Sequence, residues 1–280
     1  MALTDAQRLE KVRATLRQHG QEHLLAFWDE LNDTQRSELL DDIEKIHFES
    51  LDELVRTHVR GEAAFPLPSD IQPAPFYPAQ PGIDLVGKYA DAVKRGVSLI
   101  RKNKVAGFVV AGGQGTRLGF DGPKGAFPIS PVRNKPLFQL FAEFLRGTNA
   151  RYGSDLHWYI MTSPQNDAQT RAFFAEHGYF GLKPDHVHFF QQGVMPAFSP
   201  DGRILLDQKH RVAFSPDGHG GALLALRRSG MLDHMAANGI EYLSYWQVDN
   251  PLVKIIDPLF IGLHDLTGSQ MSSKTIPKAD

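Results

Sequence analysis

Residues 105–125, VAGFVVAGGQGTRLGFDGPKG, constrain the fold of this 280-residue chain more than any other stretch. The stretch opens with a short apolar run rich in β-branched residues, which is typical of a buried parallel strand, although periodicity alone does not exclude a helix. The run ends in three closely spaced glycines, Gly112, Gly113 and Gly115. Glycines let a backbone turn sharply and approach a ligand closely. With Arg117 and Lys124 nearby, the stretch predicts a strand followed by a polyphosphate-binding loop.

Two common phosphate-binding motifs do not fit this loop. The Walker motif requires Gly, four residues and then Gly-Lys-Ser/Thr, and the dinucleotide motif requires a glycine where Leu118 stands. A lone G-x-G would be typical of a structural turn, but here G-G-x-G-T-R-L-G is followed by Pro123-Lys124. This longer string is similar to the signature of nucleotidyltransferases that join a nucleoside triphosphate to a sugar 1-phosphate. Its LG…PK form resembles the eukaryotic-type UDP-sugar pyrophosphorylases.

Composition excludes several other classes of protein. The formal net charge is −2, so no basic excess favours a nucleic-acid partner. Cysteine is absent, which excludes disulfides and cysteine zinc sites, and the twelve histidines show no metal-binding spacing. The charged N-terminus lacks the apolar core of a signal peptide, and no run approaches ~18 apolar residues. We therefore expect a soluble cytoplasmic protein with no membrane partner. The sequence does not indicate any particular protein partner.

Residues 1–82 are predicted to form an N-terminal helical extension with a proline-rich connector. Thr4 and Gln7 match a capping box, and Gly20 matches a helix stop. The apolar spacing over 24–31 and 39–55 predicts two further helices. Six prolines within 61–82 predict an extended connection, anchored to its own protein by three aromatic residues, Phe65, Phe76 and Tyr77. A polyproline ligand for a partner is the alternative.

Residues 83–280 are predicted to form a nucleotide-binding catalytic domain in which strands and helices alternate. Helices are expected near 84–102, 136–150, 165–176, 222–229 and 258–266. Strands are expected at 105–111, 156–161, 187–190, 240–248 and 270–276, with a β excursion over 200–215 that turns at Asp201-Gly202. This alternation predicts an α/β fold with a doubly wound, mostly parallel sheet. Ligands of such sheets bind at the carboxyl ends of the strands.

Further strings extend the resemblance along the chain. They are WYIMTS at 158–163, FFQQG at 189–193, PDGHGG at 216–221 and VDNPLVK at 248–254. Their order and approximate spacing resemble those of the UDP-N-acetylhexosamine pyrophosphorylases. The resemblance implies a domain related to the GT-A glycosyltransferases. It also implies an Mg²⁺-dependent enzyme that joins UTP and N-acetylglucosamine 1-phosphate, giving UDP-N-acetylglucosamine and pyrophosphate.

The resemblance also implies roles for single residues. Substrate binding is expected at the loop, by Val110, Ala111, Gly112, Gly113, Gly115 and Thr116. Gln192 is expected to read the uracil edge, because an amide both donates and accepts hydrogen bonds. Gly218 is expected to provide a second uridine contact beside His219. Arg117 and Lys124 are expected to neutralise the phosphates as catalytic residues, and Asp249 is expected to hold Mg²⁺.

These roles suit in-line transfer to a phosphorus atom. The sugar phosphate already carries the attacking oxygen, so the protein must align and neutralise two anions rather than supply a nucleophile. Mg²⁺ prefers oxygen ligands and keeps several waters, so one carboxylate with phosphates suffices. Asp-Asn-Pro is also a common turn string, and a purely structural Asp249 is the alternative.

Three questions stay open from the sequence. The PDGHGG string has His219 where the N-acetylglucosamine enzymes usually carry Asn, so a UDP-glucose, UDP-galactose or broad-specificity enzyme is an alternative. A non-catalytic module that binds UTP or a UDP-sugar is a second one. Because the family typically continues well beyond Asp280, we expect a C-terminally truncated chain that exposes apolar surface. Such a chain should bind UTP more readily than it turns over substrate.

Overall fold

A computed structural model gives the fold of residues 4–61, 68–72 and 74–276. The α-helices are α1 (Asp5–Gln18), α2 (Asp33–Glu44), α3 (Leu51–Leu54), α4 (Val86–Arg101), α5 (Leu137–Tyr152), α6 (Asp167–Glu176), α7 (Ala222–Arg228), α8 (Met231–Ala237) and α9 (Pro258–Leu266). The strands are β1 (Val105–Val110), β2 (Trp158–Thr162), β3 (Val187–Gln191), β4 (Val194–Pro196), β5 (Leu206–Gln208), β6 (Arg211–Val212), β7 (Phe214–Pro216) and β8 (Tyr242–Gln247). Turns, short 3₁₀ helices and irregular segments connect them.

The chain divides into two compact units. The helical unit comprises Met1–Ala74 and Val194–Asp217. The sheet unit comprises Pro75–Gly193 and Gly218–Asp280. Every residue predicted to bind substrate or metal lies in the sheet unit.

The helical unit begins with the predicted capping box. The Thr4 side chain accepts a hydrogen bond from the Gln7 backbone, and the Gln7 side chain accepts one from the Thr4 backbone at 3.0 Å. Together these bonds satisfy two N–H groups that the first helical turn leaves without partners. The helix ends at Gln18, and Gly20 adopts a left-handed φ of 64°. The predicted start and stop are thus confirmed.

The two further helices predicted for this unit are wrong in detail. The first corresponds to short 3₁₀ helices, Glu22–Leu25 and Trp28–Glu30. The second is broken, because α2 ends at Glu44 and α3 begins only at Leu51. Apolar spacing did not reveal the break, since buried side chains continue through it, at Ile46 and Phe48.

The β excursion packs within the helical unit. The predicted turn is present: Gly202 has a φ of 85°, and Phe198 and Ile204 pair across it as an antiparallel bridge. Gln21, only 5% exposed, donates to the Gly202 carbonyl at 3.1 Å and accepts from the Ile204 N–H at 2.9 Å. One buried amide therefore satisfies two backbone groups of the excursion.

The sheet unit is built on four parallel strands in the order β3-β2-β1-β8. Helices cover both faces. One face packs against α5 and α6 through Val105, Val109, Trp158, Ile160, Phe138, Phe141 and Phe174. The other packs against α7 and α8 through Ala106, Phe108, Tyr159, Met161, Ala222, Leu226 and Met235. A parallel sheet with helices on both faces needs strands that are apolar on both sides, and these strands are. The predicted doubly wound α/β fold is thus confirmed.

Helices α4 and α9 approach each other through glycine. A Cβ at Gly96 would lie 1.9 Å from the Pro258 carbonyl oxygen, and a Cβ at Gly262 would lie 1.7 Å from that of Ala92. Neither backbone atom can move out of the way as a side chain could. The two glycines therefore permit a contact that any other residue would block.

Two expectations about the sheet unit are wrong. Residues 270–276 form no strand and expose Met271 and Ile276 by 86% and 90%, because strand propensity cannot supply the partner backbone that a strand needs. Phe76 is 80% exposed and anchors nothing. Tyr77 and Pro78 do anchor the connector, since Lys88 donates to the Tyr77 hydroxyl and Tyr89 donates to the Pro78 carbonyl at 2.6 Å.

Other parts of the connector, Phe65, Pro66 and Pro73, lie outside the described residues. Across the part of the chain that the structure does describe, no helix combines the length and apolar character needed to cross a bilayer.

Candidate functional site

The order of the strands creates a crevice at the carboxyl end of the sheet. From β1 the chain proceeds to β2 and then β3 on one side, whereas β8 pairs with the other side of β1. The strand order thus reverses at β1, and ligands of open parallel sheets bind at the carboxyl ends of the strands at such a point. The glycine loop follows β1 at this point, and Asp249 follows β8.

The glycine loop is held by its own backbone. Gly115 donates to the Gly122 carbonyl at 2.9 Å, and Lys124 donates to the Gly113 carbonyl at 3.1 Å. No backbone carbonyl among the described residues accepts from the N–H of Gly112 or Gly113. The loop therefore presents free backbone donors on a hydrogen-bonded turn, as phosphate-binding loops do.

The glycines of this loop serve two different needs. Left-handed φ values occur at Gly119 and Gly122, 66° and 147°, and not at the first three glycines. Gly115 is needed for space, because a Cβ there would lie 2.8 Å from the ring of Phe120. The sharp turn predicted from the glycines therefore lies later in the loop than expected. The early glycines instead let neighbouring groups approach the backbone of the loop closely.

Asn166, which the sequence analysis did not predict as a site residue, holds the glycine loop in place through hydrogen bonds. It is fully buried, and its amide nitrogen donates to the carbonyls of Ala111 at 2.9 Å and Gly113 at 3.2 Å. Its amide oxygen accepts from the Ser163 N–H at 2.9 Å. The end of β2 thus holds the end of β1, and the buried carbonyls are satisfied. The one available signal was a polar residue shortly after a predicted strand.

Gln192 lies against the glycine loop. Its side chain is 8% exposed, and its backbone donates to the Thr162 carbonyl at 2.8 Å. A Cβ at Gly112 would lie 2.8 Å from the Gln192 amide oxygen and 2.9 Å from its nitrogen. Only glycine at position 112 leaves room for that amide, so the two residues form one surface of the crevice.

Lys124 and Asp249 meet across the crevice. The lysine nitrogen lies 2.8 Å from a carboxylate oxygen of Asp249, although the two residues are 125 positions apart. Their side chains are 24% and 55% exposed. The structure therefore brings together the residues predicted to bind phosphate and Mg²⁺. Each charge neutralises the other.

Arg117 and Thr116 lie on an exposed 3₁₀ turn, Thr116–Leu118. Within the described part of the chain, Arg117 has no carboxylate within ion-pair distance. The structure thus leaves its guanidinium unpaired near the loop, and no measured contact joins it to Lys124 or Asp249.

His219 is attached to the sheet through Tyr245, another residue that the sequence did not indicate. The Nδ1 atom of His219 lies 2.5 Å from the Tyr245 hydroxyl, on β8. Tyr245 packs edge-on against Phe108, and burial raises the pKa of its hydroxyl. The preceding Gly218 has φ 69° and ψ −162°, a conformation open essentially to glycine alone. The backbone conformation that Gly218 permits and one hydrogen bond therefore orient His219.

The donor set of the crevice fits Mg²⁺. Asp249 supplies one accessible carboxylate at the strand end, where its partner is the Lys124 ammonium group. Among the described residues Asp249 belongs to no group of three metal-binding side chains. A single carboxylate suits an ion that takes its other ligands from phosphate and water.

Comparisons with known proteins identify the family of this chain. Residues 84–278 match the family described as UTP–glucose-1-phosphate uridylyltransferase. UDP-N-acetylglucosamine diphosphorylase 1 of Arabidopsis thaliana is 36% identical over 277 residues, covering 94% of this chain and 54% of the relative. Human UDP-N-acetylhexosamine pyrophosphorylase-like protein 1 is 37% identical over 284 residues, covering 96% and 56%.

A solved structure extends the match to the fold. The UDP-N-acetylglucosamine pyrophosphorylase of Trypanosoma brucei, in complex with an inhibitor, superposes with a TM-score of 0.76 at 26% identity. The match covers 96% of this chain and 56% of that one. The chain therefore spans about half the length of the relatives that it matches.

Proposed function

The chain belongs to the UTP–glucose-1-phosphate uridylyltransferase family, and on that premise we propose that it acts in uridylyl transfer from UTP to N-acetylglucosamine 1-phosphate. The products are UDP-N-acetylglucosamine and pyrophosphate. The observation that carries the proposal is the Lys124–Asp249 pair, 2.8 Å apart beside the glycine loop at the point where the strand order reverses. A cation and a carboxylate at that point are what a metal-bound triphosphate requires.

The nucleotide end of the site is formed by Gln192 and the loop. The Gln192 amide can donate to and accept from the uracil edge, while Gly112 keeps the approach clear of a side chain. The backbone of Val110 and Ala111 lines the same strand end. Gly218 supplies a second backbone contact to uridine. These groups select a pyrimidine by hydrogen bonding rather than by charge.

The phosphate end is formed by cations. The free N–H groups of Gly112 and Gly113, with the adjoining residues Gly115 and Thr116, surround the polyphosphate. Lys124 and Arg117 neutralise it, and both act on charge that grows as the bond to pyrophosphate breaks. Asp249 would hold Mg²⁺, which supplies further neutralisation at the α-phosphate when bound.

The transfer itself requires no protein nucleophile. An oxygen of the sugar phosphate forms a bond to the α-phosphorus of UTP, and the bond to the bridging oxygen of pyrophosphate breaks. The electron pair leaves with pyrophosphate, and no proton must move. The protein therefore accelerates the reaction by alignment and by charge neutralisation.

The sugar is the less constrained part of the proposal. His219 differs from the asparagine expected for N-acetylglucosamine, so glucose 1-phosphate, galactose 1-phosphate or a broader range is the second candidate. The relatives that match most of the chain are named for N-acetylglucosamine or N-acetylhexosamine, which favours the first. A module that binds UTP without turnover is the third candidate.

The test is a panel of nucleotides and sugar 1-phosphates with pyrophosphate release as the signal. We expect release with UTP and N-acetylglucosamine 1-phosphate, and none with ATP or GTP. Calorimetric titration with UTP is run on the same preparation. Binding without release under every condition would favour the non-catalytic module, whereas equal release with a purine nucleotide would contradict the proposed role of Gln192.

A further inference from the structure

Three histidines converge at the other end of the sheet from the glycine loop. His157 directly precedes β2, His188 is the second residue of β3, and His234 lies on α8. One ring nitrogen of each lies within 4.8 Å of the other two. The Nδ1 atom of His157 and the Nε2 atom of His188 are 2.8 Å apart. The group is half-buried, and it lies at the amino ends of strands whose carboxyl ends form the crevice.

The surroundings orient these rings. The ring of His186 stacks on that of His157, with centroids 4.2 Å apart and planes at 9°. The Tyr159 hydroxyl, fully buried, lies 2.8 Å from Nδ1 of His234. These contacts hold the imidazole rings in place where their nitrogens converge.

We propose that His157, His188 and His234 form a binding site for a divalent transition metal, with Zn²⁺ as the ion that fits best. Zn²⁺ binds imidazole nitrogens at about 2.0–2.1 Å, so tetrahedral geometry separates two ligand nitrogens by about 3.4 Å. The nitrogens of His157 and His188 lie 2.8 Å apart and all three nitrogens lie within 4.8 Å of one another, so small rotations of the rings would reach that value. Three histidines leave a fourth position for water or another donor.

The chemistry separates this site from the Mg²⁺ site at Asp249. Mg²⁺ prefers oxygen ligands and binds imidazole poorly, whereas zinc accepts nitrogen readily. The histidine site contains none of the residues that we assign to uridylyl transfer. It joins β2 and β3 to α8, so bound metal would stabilise the folded chain by mass action.

Spacing along the chain could not reveal this site. His157 and His188 are 31 positions apart, and His234 comes from a helix much later in the sequence. Zinc patterns read from sequence depend on ligands a few residues apart. Only the pairing of β2 with β3, and the packing of α8 on the same face, bring the rings together.

The test is calorimetric titration of the whole chain with ZnCl₂ in buffer containing excess Mg²⁺. We expect one zinc per chain and a higher melting temperature in its presence. His157→Gln and His234→Gln should each weaken zinc binding by at least ~10-fold, since glutamine keeps volume and hydrogen bonding but is a poor zinc ligand. His177→Gln, at an exposed histidine of the same unit, is the matched control and should bind zinc as the wild type does.

Co²⁺ provides a measurement that depends on no variant. Bound to the wild type it should show visible absorption bands of a nitrogen-ligated, low-coordinate ion, and zinc should displace it. Absence of these bands, or of saturable one-to-one zinc binding, would overturn the proposal. Weakening of zinc binding by His177→Gln to the same extent as by His157→Gln would overturn it as well. Loss of zinc binding in Asp249→Asn would likewise overturn it, because the ion would then belong to the crevice.

Discussion

At the scale of single residues, charge is balanced before any ligand arrives. Lys124 and Asp249 face each other at 2.8 Å in a partly exposed crevice. An ion pair of this kind stabilises a protein by roughly 0–1 kcal/mol, so little is lost when its members turn to phosphate and metal. We therefore propose that the pair serves ligand binding rather than stability, and this difference can be measured.

Replacement of either partner should reduce turnover without unfolding the chain. We expect Lys124→Ala to lower uridylyl transfer by ~10²-fold, the usual scale for one preorganised charge contact. Asp249→Asn should lower turnover and also weaken the response to Mg²⁺. Lys94→Ala and Asp91→Asn break an exposed pair of similar length on α4 and are the matched controls. If Lys124→Ala has unchanged kinetics at saturating UTP, Lys124 is not part of the site.

The sugar preference is a second property of single residues. If His219 contacts the sugar, His219→Asn should change the ratio of kcat/KM for N-acetylglucosamine 1-phosphate to that for glucose 1-phosphate. UTP binding should stay nearly the same. Tyr245→Phe removes only the hydroxyl that holds His219 and should shift the ratio less, in the same direction. If both sugars are affected equally, His219 does not determine specificity.

At the scale of elements, α4 and α9 make a close backbone contact within the sheet unit. Their backbones approach so closely that Gly96 and Gly262 have no room for a Cβ. The same helices are joined to β8 by Asp265, which accepts from Arg95 at 2.6 Å and from the Tyr242 hydroxyl at 2.6 Å. A tight backbone contact and a polar link thus hold these elements together.

Gly262→Ala should therefore destabilise the protein although alanine favours helices. Overpacking against a backbone carbonyl cannot be relieved by a rotamer change, and we expect a loss of at least ~2 kcal/mol in the free energy of unfolding. Gly147→Ala is the matched control, because that glycine lies in α5 with nothing within 4 Å of a new Cβ. It should stabilise by ~0.5–1 kcal/mol. Urea denaturation of both variants measures their free energies of unfolding. Equal changes in Gly262→Ala and Gly147→Ala would contradict the expected overpacking at Gly262.

At the scale of the whole molecule, stability should depend on pH through carboxylates held by cations. The hydrogen bond from Arg95 lowers the pKa of Asp265 below its ordinary value of 3.8. The hydrogen bond from Lys135 likewise lowers the pKa of Glu143 below 4.5. In each case the unfolded chain binds a proton more readily than the folded one. The stabilisation is thus complete above the ordinary pKa and is lost as pH falls through the folded value.

We expect the free energy of unfolding to fall as pH is lowered from about 5 to below 4, because the unfolded carboxylates take up protons first. Asp265→Asn should remove part of this pH dependence. Arg95→Gln should remove a smaller part, because the Tyr242 hydroxyl still donates to Asp265. The double variant should remove no more than Asp265→Asn does. Urea midpoints measured across this pH range test the expectation, and an unchanged slope in Asp265→Asn would contradict it.

Local patterns determined much of this protein. The capping box at Thr4, the strand before the glycine loop, and the helix Pro258–Leu266 follow from spacing, caps and apolar character, which act between neighbours in the chain. The same reasoning failed at residues 270–276, since a strand also needs a partner that lies elsewhere. Where an element's stability is local, the sequence alone predicts it.

Tertiary structure decided which of these elements meet. Asn166 beneath the glycine loop, Lys124 beside Asp249, and the three histidines at the opposite strand ends are contacts between residues far apart in the chain. They depend on the strand order β3-β2-β1-β8, and that order results from the packing of whole faces rather than from any local preference. The sequence by itself therefore determined which residues could carry the chemistry, whereas their assembly into sites was decided only when distant strands paired, because side-chain contacts follow backbone pairing.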